Sequence, residues 1–192
     1  MRERITSLFN QNALAHQKAA ESLADSLIEA AEWITGSLLT ENKVMCCGAG
    51  AANSLSQYFC YAMLNSLERE RPALPAINLC SESALSAISD DPTNSGLFSN
   101  QIQALGQPGD TLLIIAGPEQ NISLHQAIQT AEQREIKVVL LNCNEAPWWD
   151  SEPNAERLEV FTPVESKIQT QQLHLTSIQA ICELIEMQLF GA

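Results

Sequence analysis

Five short apolar runs, each separated from the next by a helix-like or turn-rich stretch, limit this chain's fold more than any other feature. Lys43-Val-Met-Cys-Cys47, Pro75-Ala-Ile-Asn-Leu79, Thr111-Leu-Leu-Ile-Ile-Ala116, Lys137-Val-Val-Leu-Leu141 and Leu158-Glu-Val-Phe161 are mostly uninterrupted, not alternating. A strand with one wet face alternates apolar and polar residues; a strand buried on both faces does not. The intervening segments recur at three to four residues, as helices do. Strand and helix in alternation predict a parallel sheet covered on both sides. The expected architecture is a three-layer α/β/α sandwich with a five-stranded parallel sheet. We expect one domain over 1–192, with N-terminal helices over 1–40 and an α/β core over 41–192 that ends in a long helix.

The helical stretches can be placed in turn. Ile5, Leu8, Phe9 and, weakly in phase, Leu14 start one apolar face. Leu23, Leu27, Ala30, Ile34 and Leu38 form a second. Ser54–Leu67, Ser83–Ser89 and Phe98–Leu105 read as further helices, the last two around the polar loop Asp90–Gly96. Gln107-Pro-Gly-Asp110 is a turn signal. Ser123, with Gln126 three residues on, suggests a capping box opening a helix that ends near Arg134. Asn142–Ala155 reads as a loop containing Trp148 and Trp149. Lys167–Phe190 carries Ile178, Ile181, Cys182, Ile185 and Leu189 on one stripe.

Composition narrows the function. Asp and Glu total 23 against 10 Lys and Arg, a net charge of −13. Such a surface repels a phosphate backbone, so direct nucleic-acid binding is not expected and a basic protein partner suits it better. Charged residues are only 17%, below the usual share of about a quarter, which suggests helix surface buried against another subunit. The six cysteines form no C-x-x-C pair; they read as small buried hydrophobes in a reducing compartment. The N-terminus lacks the apolar core of a signal peptide, and no apolar run approaches a membrane span. The expected location is cytoplasmic, without a membrane partner.

In sheets of this kind ligands bind beyond the carboxyl ends of the strands. Two loops qualify: Gly48-Ala-Gly-Ala-Ala-Asn-Ser54 after the first strand, and Gly117–Ser123 after the third. Glycines before a helix let the backbone approach an anion, but the same pattern also makes a tight strand-to-helix turn. It fits neither the dinucleotide fingerprint nor the P-loop.

Cys47-Gly-Ala-Gly-Ala-Ala52, Gln57-Tyr-Phe59, Glu68-Arg-Glu-Arg-Pro-Ala-Leu-Pro-Ala76, Gln101–Leu113 and Cys182–Phe190 together resemble the sugar isomerase (SIS) superfamily. The branch they resemble contains phosphoheptose isomerase and DiaA, an adaptor of the replication initiator DnaA. The resemblance implies a homotetramer. It also implies a sugar-phosphate pocket at Gly48, Ala49, Gly50, Ala52, Asn53, Ser54, Glu119, Gln120, Asn121, Ser123, Gln171 and His174. That pocket departs from the isomerase pattern. Ala49 and Ala52 replace an Asn and a Ser, and Ala116-Gly-Pro-Glu-Gln-Asn121 replaces a hydroxyl-rich loop. Glu119 then sets a negative charge where a phosphate would sit.

The isomerases also hold zinc at positions that fall on Tyr58, Ala62, Gln171 and Gln179 here, of which only Gln171 keeps its type. No metal, no cofactor and no catalytic residue are therefore expected. His174 reads as a buried, hydrogen-bonded helix residue, and His16 and His125 as solvent-facing. By resemblance, Leu189 and Phe190 bind a DnaA-type initiator; the alternative is that they pack within the assembly. Trp148 and Trp149 are left between core packing, a pocket plug and a partner contact. The expected role is a non-catalytic adaptor in replication initiation. A remodelled phosphoheptose isomerase or a sugar-phosphate sensor is the alternative.

Overall fold

A computed structural model describes residues 1–65, 67, 70–80, 96–143, 156–162 and 166–191. The expected helix at Ser83–Ser89, most of the Asp90–Gly96 loop, and Trp148 and Trp149 lie outside the described residues. The elements are α1 (Arg2–Leu39), β1 (Val44–Gly48), α2 (Ala52–Asn65), β2 (Ala76–Asn78), α3 (Ser99–Leu105), β3 (Thr111–Ile115), α4 (Ile122–Gln133), β4 (Lys137–Asn142), β5 (Arg157–Phe161) and α5 (Lys167–Phe190). The strands form one parallel five-stranded sheet in the order β2-β1-β3-β4-β5.

The pleat of the sheet sorts its side chains into two cores. Cys46 pairs with Leu113, and Leu113 with Val139; these belong to the cluster packed by α1, α2 and α5. Their neighbours Cys47, Ile114 and Leu140 belong to the cluster packed by α3 and α4. Every residue of β1 and β3 is buried, which is why these runs carry no polar alternation. The three-layer α/β/α sandwich is thus present as expected.

The turn signal at Gln107–Asp110 is fixed by the Asp110 carboxylate. It accepts from Gln107 N at 2.8 Å, Lys43 N at 3.0 Å and Lys43 Nζ at 2.6 Å. Gly109, at φ +91°, supplies the positive φ the turn needs.

Two expectations about helices are corrected. The N-terminal segment is one continuous 38-residue helix, not several, about 57 Å long at 1.5 Å per residue. It contains no Pro, and its first Gly is Gly36, so nothing stops it where the apolar phase drifts. From Ala19 onward it buries Leu23, Ala30 and Ile34 against the sheet and α5; before Ala19 no residue is buried. That leading half is an arm, with Ile5, Phe9 and Leu14 exposed. In the second correction, α4 is capped by Asn121, whose Oδ1 accepts from Ser123 N at 3.0 Å and Leu124 N at 3.3 Å. Asn and Ser are comparable caps, and here Asn121 takes the role assigned to Ser123.

Five cysteines are buried, Cys143 is half-buried, and all six are free thiols. Burial raises the pKa of Cys46 and Cys47 well above the usual range and pushes Cys182 to about 12. These three are protonated, unreactive core residues. Among the described residues, no helix is long and apolar enough to cross a membrane.

Candidate functional site

The carboxyl ends of β1 and β3 open into a cavity of about 280 Å³. Three chain segments wall it: the loop leading into α2, the loop leading into α4, and the first two turns of α5. Tight backbone packing shapes the first loop. A Cβ on Gly48 would lie 2.6 Å from the Ala52 carbonyl oxygen, and Gly50 has φ +59°, so both glycines are required by the turn itself. Of the residues expected here, Ala49, Gly50, Ala52, Glu119, Gln120, Asn121, Gln171 and His174 line the cavity. Gly48, Asn53, Ser54 and Ser123 do not. Gly48 ends β1, and its carbonyl accepts from Cys80 Sγ. Ser54 is exposed. Asn53 accepts from Ser56 through its backbone oxygen, and Ser123 donates its backbone N–H to the Asn121 cap.

Helix N-termini surround the cavity, a geometry that favours anions. Yet several donors that would face an anion are already engaged. Ala52 N, Asn53 N and Ser54 N donate to the carbonyls of Ala49, Gly50 and Ala51 at 3.1–3.3 Å. The first donors of α4 are held by Asn121. An anion binding there has to compete with these bonds.

Two residues missing from the sequence reading, Lys167 and Thr170, also line the cavity. Their helical spacing with Gln171 and His174 was the available signal, since residues three and four apart share a face. Lys167 Nζ meets Glu119 Oε1 at 2.5 Å across the mouth. The ammonium's hydrogen bond and charge hold the Glu119 carboxyl below its ordinary pKa. Glu119, expected to repel a phosphate, is exposed and paired with Lys167, which offsets part of its charge.

His174 stands 1% exposed. Its Nε2 lies 3.1 Å from Thr162 Oγ1, which itself donates to the Asn142 carbonyl at 2.9 Å. Burial lowers the imidazole pKa to about 4, opposed by a hydrogen bond with the Asn142 backbone. It is neutral near pH 7, and a pKa so far below the working pH makes it a weak general base. The buried, hydrogen-bonded reading of His174 matches this geometry. His16 departs from the solvent-facing reading. It is half-buried and bridges the arm to α5, with Nδ1 2.9 Å from Asn12 O and Nε2 3.1 Å from Thr176 Oγ1. His125 is likewise half-buried.

Of the positions compared with zinc ligands, Tyr58 and Gln179 meet, in a form unsuited to zinc. Gln179 Nε2 donates to Tyr58 Oη at 3.1 Å, and Ala62 is fully buried and offers only a methyl. Zinc takes thiolate, imidazole or carboxylate ligands, and none stands at these positions. Among the described residues, no three His, Cys, Asp or Glu are grouped to hold a metal.

At the far end of α5, Leu189 is partly buried against the core, whereas Phe190 is 37% exposed and Met187 44%. The pair is thus divided between packing and exposure.

The SIS domain family model matches residues 8–142. The chain is 37% identical over 190 residues to a phosphoheptose isomerase of Chromohalobacter salexigens, covering 98% of this chain and 96% of that one. It is 32% identical over 191 residues to the DnaA initiator-associating protein DiaA of Shigella flexneri, covering 99% and 97%. The solved structure of a phosphoheptose isomerase from Francisella tularensis superimposes with a TM-score of 0.89 at 27% identity, covering 96% and 97%. With this fold, a pocket at the carboxyl ends of β1 and β3, and relatives along nearly its whole length, the chain belongs to the SIS domain family.

Proposed function

We propose that this chain is a non-catalytic SIS protein of the DiaA kind, a cytoplasmic homotetrameric adaptor that binds a DnaA-type initiator and promotes its assembly at an origin. One observation carries the reading. Where resemblance to the isomerases puts phosphate-binding and metal-binding groups, this chain has Ala49, Ala52, Ala62 and a Tyr58 hydrogen-bonded to Gln179. Moving a carbonyl along a sugar needs an acid and a base placed at neighbouring carbons. Among the described residues, the titratable groups that line the cavity are Glu119 and Lys167, paired with each other, and the neutral His174. No cofactor is called for. The net charge of −13 supports a protein partner over nucleic acid.

Several weak sites on one assembly raise effective concentration without new contacts, which is what an adaptor needs. The apolar residues of the α1 arm, exposed among the described residues, support self-assembly. Light scattering at micromolar concentration is expected to give four times the 21.0 kDa chain mass; a monomer would contradict it.

Phe190 is the anchor that can be tested cleanly, because Leu189 also packs on the core. Phe190→Ala should weaken capture of purified DnaA by about 1–3 kcal/mol, as truncated hot-spot residues do, and leave the tetramer mass and melting midpoint nearly unchanged. Retention of DnaA at full strength by a stable Phe190→Ala tetramer would refute the anchor.

A second reading, a sugar phosphate held without turnover, is favoured by Lys167 beside a cavity of about 280 Å³. Calorimetric binding of a heptose phosphate that Lys167→Met abolishes would support it.

A further inference from the structure

We infer that the Tyr58–Gln179 contact is a metal-free strut. It is a neutral hydrogen bond tying α2 to α5 where the isomerase pattern would put a cation, so this chain neither holds a divalent metal between these helices nor needs one to fold. The two side chains occupy each other: the carboxamide Nε2 of Gln179 donates to the Tyr58 phenol at 3.1 Å. A cation would have to break that bond and would gain a phenol and an amide, both poor zinc ligands beside imidazole or carboxylate. The remaining positions do not compensate. Ala62, one turn beyond Tyr58, is fully buried in the core. Gln171, two turns before Gln179, lies about 12 Å away along the helix axis and faces the cavity.

The seam between α2 and α5 is then pinned at two points without a metal. The strut holds one end. Arg71 holds the other, donating to the Ala62 and Met63 carbonyls and to Glu186 of α5.

The test is zinc chloride titrated calorimetrically into the full chain, with melting curves in zinc and in EDTA. The wild-type chain should show no one-site binding, and its midpoint should agree within about 1 °C in the two conditions. Tyr58→Phe and Gln179→Met should each lower the midpoint by about 1–2 °C, the low end for one net hydrogen bond since this one is exposed to solvent, and the double variant should fall no further. One-site zinc binding by the wild-type chain that disappears in Gln179→Met would overturn the inference. Fully additive single effects would overturn it as well.

Discussion

Arg71→Ala is expected to lower the stability of the chain by about 3–5 kcal/mol, the cost of breaking a buried ion pair and leaving its partner unpaired. The Arg71 side chain is 2% exposed and that of Glu186 14%. Its Nε donates to Glu186 Oε1 at 2.7 Å, one terminal nitrogen to Met63 O at 2.8 Å and Pro72 O at 2.9 Å, and the other to Ala62 O at 2.7 Å. Four of the five guanidinium N–H donors are thus engaged. Two of the acceptors are carbonyls in the last turn of α2, the negative end of that helix, where a cation is stabilising. Removing the guanidinium strands Glu186 and those carbonyls together. The melting midpoint should fall on the order of 10 °C. Arg71→Lys should recover only part of this, since an ammonium cannot span four acceptors on two helices and a loop. Glu186→Gln, which keeps an acceptor for Nε, should cost less than Arg71→Ala. Thermal or urea unfolding of the three variants checks the order; an Arg71→Ala chain within about 1 kcal/mol of the wild type would refute the clamp.

Stability should also fall as pH drops from about 6.5 to about 4, with His174 responsible for a distinct part of the slope. The folded pKa, about 4, lies below the ordinary imidazole value of 6.5. Between those values the unfolded chain binds a proton that the folded chain refuses, so protonation favours unfolding. Above pH 6.5 neither state is charged at this residue, and the penalty vanishes. A difference of roughly 2.5 units corresponds to on the order of 3 kcal/mol. His174→Gln removes the titrating group while keeping a polar side chain toward Thr162. That variant should start less stable at pH 7 and lose less on acidification, with the carboxylates common to both chains cancelling in the comparison. Urea unfolding at several pH values measures the two slopes; parallel slopes would contradict the buried neutral imidazole.

How legible these features were in the sequence depends on the range of the interactions behind them. The strands could be read because burial on both faces writes itself as an unbroken apolar run: Thr111–Ile115 and Lys137–Asn142 came out within a residue of expectation. Leu23, Ala30 and Ile34 were readable for the same reason, since local periodicity records which face meets the core. The extent of α1 was not, because drift in the apolar phase between Leu14 and Leu23 looked like a break. It marks instead the point where the helix leaves its own core. The Asn121 cap was masked by an equally good candidate two residues on. The site's electrostatics were hidden for another reason: Glu119 meets Lys167 48 residues away, and Arg71 meets Glu186 115 residues away. Single-sequence patterning carries no signal at such separations. The motif around Arg71 gave the resemblance, but not the clamp that Arg71 makes.

The proposed role requires that the pocket of this SIS protein does not isomerise a sugar phosphate and that its function lies on its surface. The most direct measurement is turnover of sedoheptulose phosphate by the purified chain with added zinc, beside the Chromohalobacter salexigens phosphoheptose isomerase. Loss of a phosphate-binding group and of acid–base groups at Ala52, Ala62 and Gln179 costs about a hundredfold or more each. The account predicts turnover at least about four orders of magnitude below the isomerase. Turnover within about tenfold of it would contradict the account.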